Sequence, residues 1–321
     1  MDFNVEYSNH VMDSFEFESG RILDNVNVEY WVDGTPKYDD DGNIVNAVVY
    51  LPTLKGGNSI LAKSHDIIYR HDDDYFFIKI TSLGAPNSCS PSSTGLMHNF
   101  PHYTLKDRVN FKRQFLEEKF NIKNVKGLIG EGVGGFEVYT WACEYPDEMD
   151  FIITLNSTFK TCGYRYVLLN VADAIVDSSD DFYEEGYSVS LSKMIVAIAR
   201  LLFAGYFPKN IFEELSNDEI DVLMEDYVDE ALFMDVHDFK SRNDCLLEYD
   251  VSEKLENIKA KALVMGFSEF LFFNAESDVL PLTDLIKDLK IALFDEKMSF
   301  YDENDYSDVA SEIISFLSEF K

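Results

Sequence analysis

The segment from Gly130 to Gly135, Gly-Glu-Gly-Val-Gly-Gly, lies between an apolar run and a helical stretch, where a turn can carry chemistry. One interpretation is a dinucleotide turn, since Gly130, Gly132 and Gly135 fit G-x-G-x-x-G. That motif is normally followed by an acidic residue near the end of the next strand, and this chain has Asn156 at that position. A second interpretation is a plain tight turn that packs a strand against a helix. A third is a nucleophile elbow, G-x-S-x-G, with Gly130 and Gly134 flanking and Gly132 in the nucleophile's place.

A second group that could do covalent chemistry is the thiol of Cys89, which lies in a loop between Ser88 and Ser90. A reactive thiol needs a nearby cation or a helix start to lower its pKa, and no basic neighbour is visible. We therefore expect Cys89 to be a small packing residue. The four cysteines, at positions 89, 143, 162 and 245, form no C-x-x-C motif, which predicts reduced thiols in a cytosolic protein.

Metal ligation is poorly supported by the histidines. His98 and His102 are spaced i, i+4, but Pro101 between them breaks a helix, so the two rings need not share a face. His71 precedes three aspartates, yet this segment is a polar turn before a strand, and a solvated turn is favoured. We predict no metal site and no cofactor.

Glu131 stands beside the central glycine of the turn. Its charge could lie near a helix start, where the helix dipole favours anions. The alternative, which we favour, is an exposed or locally hydrogen-bonded carboxylate.

The elements that must position these groups alternate along the chain. Strand-like runs and helical stretches follow one another in the order strand, helix, strand, which predicts an α/β fold with a doubly wound, mostly parallel sheet. The strands are expected at 15–17, 26–32, 47–51, 75–80, 125–129, 151–156, 260–266 and 291–294, and the main helices at 105–120, from the glycine turn to about 145, and at 307–320.

Between residues 163 and 251 helical periodicity dominates and acidic residues crowd together. We interpret this stretch as a helical cap, called the cap below. The core is then formed by residues 1–162 and 252–321, with the cap inserted before the last strands.

The excess of acidic over basic residues argues against two classes of partner, nucleic acids and anionic membranes. The 321 residues carry 27 Lys and Arg against 59 Asp and Glu, for a net charge of −32. Nucleic acids and anionic membranes are bound through Lys and Arg clusters, so neither is an expected partner. The acidic start of the chain lacks the pattern of a signal peptide, and the most apolar run, 194–207, is too short to cross a bilayer. We expect a cytoplasmic protein.

Several short motifs occur in one order along the chain. They are 17–20 (FESG), 46–49 (NAVV), 88–95 (SCSPSSTG), 100–101 (FP), 104–109 (TLKDRV), the glycine turn, 141–142 (WA), 145–146 (YP), 199–200 (AR) and 268–272 (SEFLF). Together they resemble the homoserine O-acetyltransferase branch of the α/β-hydrolase superfamily. The resemblance is strongest between residues 46 and 159 and weakest in the cap.

The resemblance implies a Ser-His-Asp triad that moves an acyl group from a thioester to an alcohol, but this chain departs from it. The nucleophile position is Gly132, the acid position is Glu269, and the histidine position falls near Glu303. No His follows His237 anywhere in the sequence. Glycine reaches elbow angles without a Cβ clash, so it suits a turn that has lost its nucleophile. We expect Gly132 at the apex of an elbow, with positive φ.

The resemblance also implies candidates for the oxyanion hole and the pocket, namely Leu54, Val133 and Arg200. Arg200 either lines the pocket or forms a structural salt bridge, and the sequence does not decide between the two.

The sequence therefore predicts a noncatalytic protein on an acyltransferase scaffold, with a binding, regulatory or scaffold role and a small molecule in the vestigial pocket. The alternatives are an acyltransferase or esterase that uses substitute residues, and, more weakly, a nucleotide-binding protein. The apolar stripe of Met194, Ile195, Ile198, Leu201 and Leu202 predicts a homodimer through the cap, favoured by salt because salt screens the negative charge. A purely intramolecular core is the alternative explanation of the stripe.

Overall fold

The computed structural model describes residues 7–52, 60–71, 74–184, 189–205, 209–267, 272–294 and 306–321. Eight strands form one sheet: β1 Ser8–Glu16, β2 Ile22–Asp33, β3 Ala47–Leu51, β4 Phe76–Ile80, β5 Val125–Glu131, β6 Met149–Leu155, β7 Lys261–Phe267 and β8 Leu289–Phe294. Their order is β1-β2-β4-β3-β5-β6-β7-β8. The pairs β1–β2 and β2–β4 are antiparallel, and all other neighbours are parallel. The predicted α/β-hydrolase fold is confirmed.

Twelve α-helices are described. They are α1 Ile60–His71, α2 Pro91–Thr94, α3 Leu105–Phe120, α4 Val133–Glu144, α5 Gly163–Asp177, α6 Val189–Phe203, α7 Lys209–Glu214, α8 Asn217–Ala231, α9 Val236–Leu247, α10 Ala275–Asp278, α11 Leu282–Leu285 and α12 Ser307–Leu317. No helix in the described ranges is long and apolar enough to cross a membrane.

The central strands are buried on both faces, which explains their unbroken apolar runs. Along β3, Val49 joins the core under α3 and α4, while its neighbour Val48 joins the core under α1 and α12. Successive side chains of a strand point to opposite faces, so each strand supplies both layers.

Among the differences between the structure and the sequence prediction, two lie at β1 and in the loop that carries Cys89. β1 begins at Ser8 rather than at residue 15, because pairing with β2 extends a strand whose buried side chains are only Met12 and Phe15. The loop 84–101 contains α2, which Ser90 caps by accepting a hydrogen bond from the Ser93 amide. Serine at the N-cap followed by proline is a helix-start signal.

The helices α5 to α9 lie between β6 and β7 and form the cap. The stripe on α6 is buried in the cap's own core, where Met194, Ile195 and Ile198 pack with Ala172 of α5 and Phe239 of α9. The apolar stripe is thus explained by intramolecular packing and does not support self-association. A homodimer through the cap stays a prediction, and it would have to use another surface.

The chain enters and leaves the cap through a short antiparallel contact, called the neck below. Lys160 and Asp250 form a β-bridge. The Thr161 amide donates to the Tyr249 carbonyl at 2.9 Å, and the Val251 amide donates to the Phe159 carbonyl at 2.9 Å. The two ends of the insertion are therefore fixed to each other at the edge of the core.

His237 on α9 is held between two acceptors inside the cap. Its Nδ1 lies 3.0 Å from the Asp235 carboxylate, and its Nε2 lies 3.0 Å from the Phe182 carbonyl. Both ring nitrogens can donate at once only in the imidazolium. Burial alone would lower the pKa of His237, but these hydrogen bonds, with the charges of Asp235 and Asp238, raise it above its ordinary value.

We expect His237 to stabilise the protein most at low pH. A group whose pKa is raised on folding contributes its full stabilisation below its unfolded pKa of about 6.5, and loses it as the pH rises through the folded value. Urea unfolding of wild-type and His237→Asn proteins from pH 5 to 9 checks this. The difference in unfolding free energy should be largest at pH 5, about 1.5–3 kcal/mol for a hydrogen bond to a charged group, and shrink toward pH 9. A difference that grew with pH would contradict the imidazolium.

Candidate functional site

The glycine turn joins the carboxyl end of β5 to the start of α4, as in a nucleophile elbow. Gly132 has φ +53° and ψ −119°, so the predicted positive φ at the apex is confirmed. Its amide donates to the Leu155 carbonyl at 2.9 Å. Its carbonyl accepts from the Gly135 amide at 3.0 Å and from the Ser157 hydroxyl at 2.9 Å. The turn is therefore held by β6 on one side and by its own helix on the other.

Close packing explains why glycine, and no larger residue, occupies the positions around the apex. A Cβ on Gly134 would lie 2.0 Å from the Leu51 carbonyl oxygen, and one on Gly130 would lie 2.5 Å from the Gly134 backbone. A Cβ on Gly135 would lie 2.3 Å from the Ser157 hydroxyl oxygen. The tight-turn interpretation is thus confirmed, and the backbone also has the positive φ predicted for the apex of an elbow.

The dinucleotide interpretation finds no support in the described structure. Asn156 follows β6 with φ +47°, and its side-chain oxygen accepts the Phe267 amide at 2.9 Å. The position at which the motif requires a ribose-binding acid is therefore occupied by Asn156, whose side-chain amide links β6 to β7.

We expect Gly134→Ala to destabilise the protein by about 1–3 kcal/mol, as overpacking of a close backbone contact does. Alanine would otherwise favour this helical position by about 1 kcal/mol. Gly42→Ala is the matched control, because Gly42 has φ +84° but open space around it and should cost about 1 kcal/mol. Chemical unfolding of both variants measures the difference. A Gly134→Ala protein at least as stable as the wild type would contradict the close approach of α4 to β3.

Val133 is the first residue of α4 and is half-buried against the core. The first four amides of a helix have no partner within the helix, so its N–H is available for an oxygen held beside Gly132. This position fits the predicted role of Val133 in an oxyanion hole. Leu54, the other predicted contributor, lies outside the described residues.

Glu131 is buried and binds the start of a helix, but the helix is α1 and not α4. Its carboxylate oxygens accept the amides of Ile60 at 3.3 Å and Leu61 at 3.1 Å. Our preferred interpretation, an exposed carboxylate or one bonded to residues nearby in the sequence, is thus wrong. The carboxylate is buried, and its partner Leu61 lies 70 residues away in the sequence. Glu131 satisfies helix amides that otherwise have no partner and adds a favourable charge to the α1 dipole.

Two other candidates, Arg200 and Cys89, differ in burial. Arg200 is exposed on α6 and forms no ion pair with any described residue. Its predicted place in the pocket stays a prediction. Cys89 is buried, and burial raises the pKa of its thiol to about 12, which fits the packing role. All four cysteines are free thiols.

The two histidines spaced i, i+4 lie in different surroundings in the described structure. His98 lies in an exposed 3₁₀ turn, and His102 lies 3.4 Å from Glu248 on the surface. No cluster of three metal-ligating side chains occurs within the described ranges. The side chain of His71 is outside the described part.

A cleft of about 420 Å³ lies away from the elbow, between α3 and the far end of α4. Most of its charged groups are paired: Glu148 accepts from Arg113 at 2.9 Å and from the Trp141 indole at 2.8 Å, and Lys123 lies 3.1 Å from Glu117. Neither Gly132 nor any other residue of the glycine turn lines this cleft.

No family model matches this sequence. A probable acyltransferase from Methanothermobacter thermautotrophicus is 34% identical over 311 residues, which covers 95% of this chain and 96% of that protein. A likeness of this extent decides the family. The chain belongs to the homoserine O-acetyltransferase-like branch of the α/β-hydrolase superfamily.

More distant members of this superfamily agree in fold. A probable esterase from Corynebacterium glutamicum is 24% identical, with 84% of each chain covered. The solved structure of an acetylester hydrolase from the same species superposes with a TM-score of 0.79 at 20% identity, covering 97% of this chain and 96% of that one. A homoserine O-acetyltransferase from Staphylococcus aureus gives 0.77 at 20% identity, covering 97% and 95%.

The acid and histidine positions of this homoserine O-acetyltransferase-like chain, Glu269 and Glu303, lie outside the described residues. The chain just after the first of them is held by Arg165 of the cap, which donates to the Phe272 carbonyl and, at 3.0 Å, to the Asp278 carboxylate. Asp278 also accepts the Thr158 hydroxyl at 2.7 Å. This buried network ties β6, the cap and the segment after β7 together.

Sequence reasoning missed the Arg165–Asp278 network. Its members are 113 residues apart, and no spacing rule links them. The only signal in the sequence was the charged Arg165 within an otherwise apolar stretch, and such a residue does not indicate which carboxylate it pairs with.

Proposed function

We propose that this protein is a noncatalytic member of the homoserine O-acetyltransferase-like branch, and that it binds a small molecule at the pocket beside its glycine elbow. The observation that carries the proposal is Gly132 at the apex with φ +53°. The backbone places a residue where a nucleophile would stand, and that residue has no side chain. The scaffold is kept while the reactive group is missing.

The neighbouring groups do not replace the nucleophile. The hydroxyl of Ser157 is committed to the Gly132 carbonyl at 2.9 Å, so it stabilises the turn. The thiol of Cys89 is buried and, with its pKa at about 12, carries almost no thiolate at neutral pH. Serine hydroxyls need a positioned base, and the sequence has no His after His237.

The geometry suggests which ligand chemistry the pocket would accept. The N–H of Val133 is one of the first amides of α4, which have no partner within the helix, and the helix dipole favours a partial negative charge there. A ligand with a carbonyl or carboxylate oxygen would use this donor. We therefore propose a small acyl compound or carboxylic acid as the bound class.

A second candidate function is acyl transfer or ester hydrolysis with substitute groups. The relative that matches 95% of this chain is named a probable acyltransferase, which favours this alternative. It would need a base other than histidine, for which Glu269 and Glu303 are the candidates by position in the sequence.

Covalent labelling separates the two functions. We expect no adduct after incubation with a fluorophosphonate or with acetyl-CoA, as measured by intact-protein mass spectrometry. The Corynebacterium glutamicum esterase, treated in parallel, is the positive control. A stoichiometric mass shift mapped to one residue would overturn the noncatalytic proposal and identify the substitute nucleophile.

Binding is tested separately by thermal shift with short-chain carboxylic acids and acyl esters. A ligand that binds only the folded state raises the melting temperature with concentration. We expect a saturable rise that a bulky Val133→Trp variant removes. No rise with any member of the series would contradict the proposed ligand class.

A further inference from the structure

One side of α8 in the cap leaves a large apolar side chain in water. Phe233, in the turn that follows α8, is 91% exposed, the most of any large apolar residue in the described part of the chain. Val222 on the helix itself is 60% exposed. Singly exposed apolar residues are common, but a phenylalanine in water offers a large apolar area to any partner that covers it. Phe233 is therefore a candidate anchor for a second molecule.

The opposite side of α8 holds the helix to the cap. Leu223 and Met224 pack with Phe203 of α6, and Val228 is buried in the core of the cap. The apolar residues that fix the helix are thus distinct from the exposed pair. That pair contributes nothing to the packing of the cap and is accessible to a partner.

Val222 and Phe233 lie on one line along the helix, with carboxylates between them. Asp226 comes four residues after Val222, and Asp229 comes four residues before Phe233; residues at this spacing are neighbours on a helix surface. Leu232 still has helical angles, φ −63° and ψ −17°, so Phe233 continues the helical path. Eleven residues put the two apolar side chains about 16 Å apart. These four residues, Val222, Asp226, Asp229 and Phe233, are called the α8 outer face below.

α8 is acidic along its whole length, and its charges repel one another. Between Asn217 and Ala231 it has seven Asp and Glu residues and no Lys, Arg or His. Glu225 lies four residues after Asp221 and four before Asp229, and like charges at this spacing destabilise a helix by about 0.2–0.5 kcal/mol per pair. Asp229 is also close to the carboxyl end of the helix, where the helix dipole disfavours an anion. A cation placed against α8 would relieve both effects.

The described part of the chain supplies no such cation. Glu225, Asp226 and Asp229 are exposed and form no ion pair with any described residue. Carboxylates elsewhere on the surface do find partners, as Asp147 does with Lys259 at 2.7 Å. Charge complementarity therefore favours a cationic molecule on the α8 outer face.

We propose that the α8 outer face binds a cationic amphipathic helix of a partner protein, which packs its apolar side chains on Phe233 and Val222 and places Lys or Arg opposite Asp226 and Asp229. The contact with Phe233 supplies most of the affinity, because buried aromatic anchors dominate interface energies. The carboxylates direct the encounter and set the orientation. A helix suits the spacing, since its own side chains eleven residues apart also share one side and lie about 16 Å apart.

Other occupants fit this face less well. A second copy of this chain would bring the same carboxylates and its own net charge of −32 against α8, and like charges across an interface oppose association. A small polyamine would pair with the carboxylates but would leave the Phe233 ring in water. Only a partner that is both cationic and apolar satisfies both features. The proposal goes beyond the pocket beside the elbow and does not depend on it.

Binding of a model peptide tests the proposal. The probe is a fluorescein-labelled helical peptide of about 18 residues, or five turns, with leucines along one side and lysines beside them. A scrambled peptide of the same composition is its control. By fluorescence anisotropy we expect saturable binding that weakens as salt is added, and binding of the scrambled peptide that is weaker by about tenfold or more. Equal binding of the two peptides, or no binding of the amphipathic one, would overturn the proposal.

Matched variants separate the α8 outer face from the charge of the whole chain. Phe233→Ser should weaken binding by about tenfold or more, whereas Tyr164→Ser, at an aromatic residue 70% exposed on α5, should not change it. Asp226→Lys should weaken binding and reduce its salt dependence. Glu256→Lys changes the net charge equally at an exposed carboxylate outside the cap and should have little effect. Equal effects of the two lysine variants would show that only the net charge attracts the peptide, which contradicts the proposal.

Analytical ultracentrifugation of the protein without peptide tests a second copy as the occupant. We expect Phe233→Ser to leave the molecular mass in solution unchanged. A dimer that Phe233→Ser dissociates would show that a second copy covers the α8 outer face, and it would overturn the proposal.

Discussion

Gly132→Ser is expected to give a protein that still lacks acyltransferase activity and is less stable than the wild type by about 1–3 kcal/mol. The apex has φ +53° and ψ −119°, a conformation that side-chain-bearing residues adopt only under strain. The new hydroxyl would have no imidazole to take its proton, since no His follows His237 in the sequence. Members of a triad act as a unit, so one restored member contributes little.

The measurements are acetyl transfer from acetyl-CoA, hydrolysis of p-nitrophenyl acetate, and urea unfolding. Gly132→Ala is the matched control, because it carries the same backbone strain without a hydroxyl. The two variants should be destabilised to a similar degree and be equally inactive. Turnover in Gly132→Ser but not in Gly132→Ala would show that a carboxylate such as Glu269 or Glu303 already acts as a base.

Glu137→Gln should lower the free energy of unfolding by about 3–5 kcal/mol, the usual result of removing one partner from a buried ion pair. Glu137 is fully buried and binds both Arg108 and Lys112. The amide keeps the shape of the carboxylate but removes its charge. Two cations would then share a buried site without a carboxylate between them.

Chemical denaturation at pH 7 checks this expectation. Lys259→Met is the control, because its pair with Asp147 is exposed and such pairs contribute about 0–1 kcal/mol. A loss below about 1 kcal/mol in Glu137→Gln would show that water or an anion already compensates these cations more fully than Glu137 does.

Much of the core follows from local sequence. α3 has the predicted bounds, Leu105 to Phe120, because Thr104 and Asp107 form a capping box at its start and Asn121 adopts a left-handed conformation at its end. β3 was predictable as a run of five apolar residues, all of them buried. Capping and periodicity act over a few residues, so one sequence is enough to detect them.

Contacts between distant residues were not predictable in this way. Glu131 binds α1 rather than the helix beside it, and Glu137 was not singled out although it is fully buried. Such pairings depend on how the sheet arranges its helices, and similar carboxylates elsewhere in this acidic chain lie in solvent. The stripe around Met194 had two explanations, and only the packing of α5 and α9 against α6 decided between them.

The neck limits how strongly the length of the cap affects the stability of the core. Lys160 and Asp250 are bridged at the base of the insertion. The segment between them is therefore attached to the core as a closed loop whose two ends are fixed. The entropy of such a loop grows only with the logarithm of its length, about 0.6 kcal/mol for each doubling. Changes in the length of the cap's loops would therefore cost the fold little, whereas exchange of α5 or α9 would remove the Arg165–Asp278 and Asp238–Ser92 contacts that the cap makes with the core. In evolutionary terms, the neck lets the loops of the cap change in length while the scaffold beneath it stays the same.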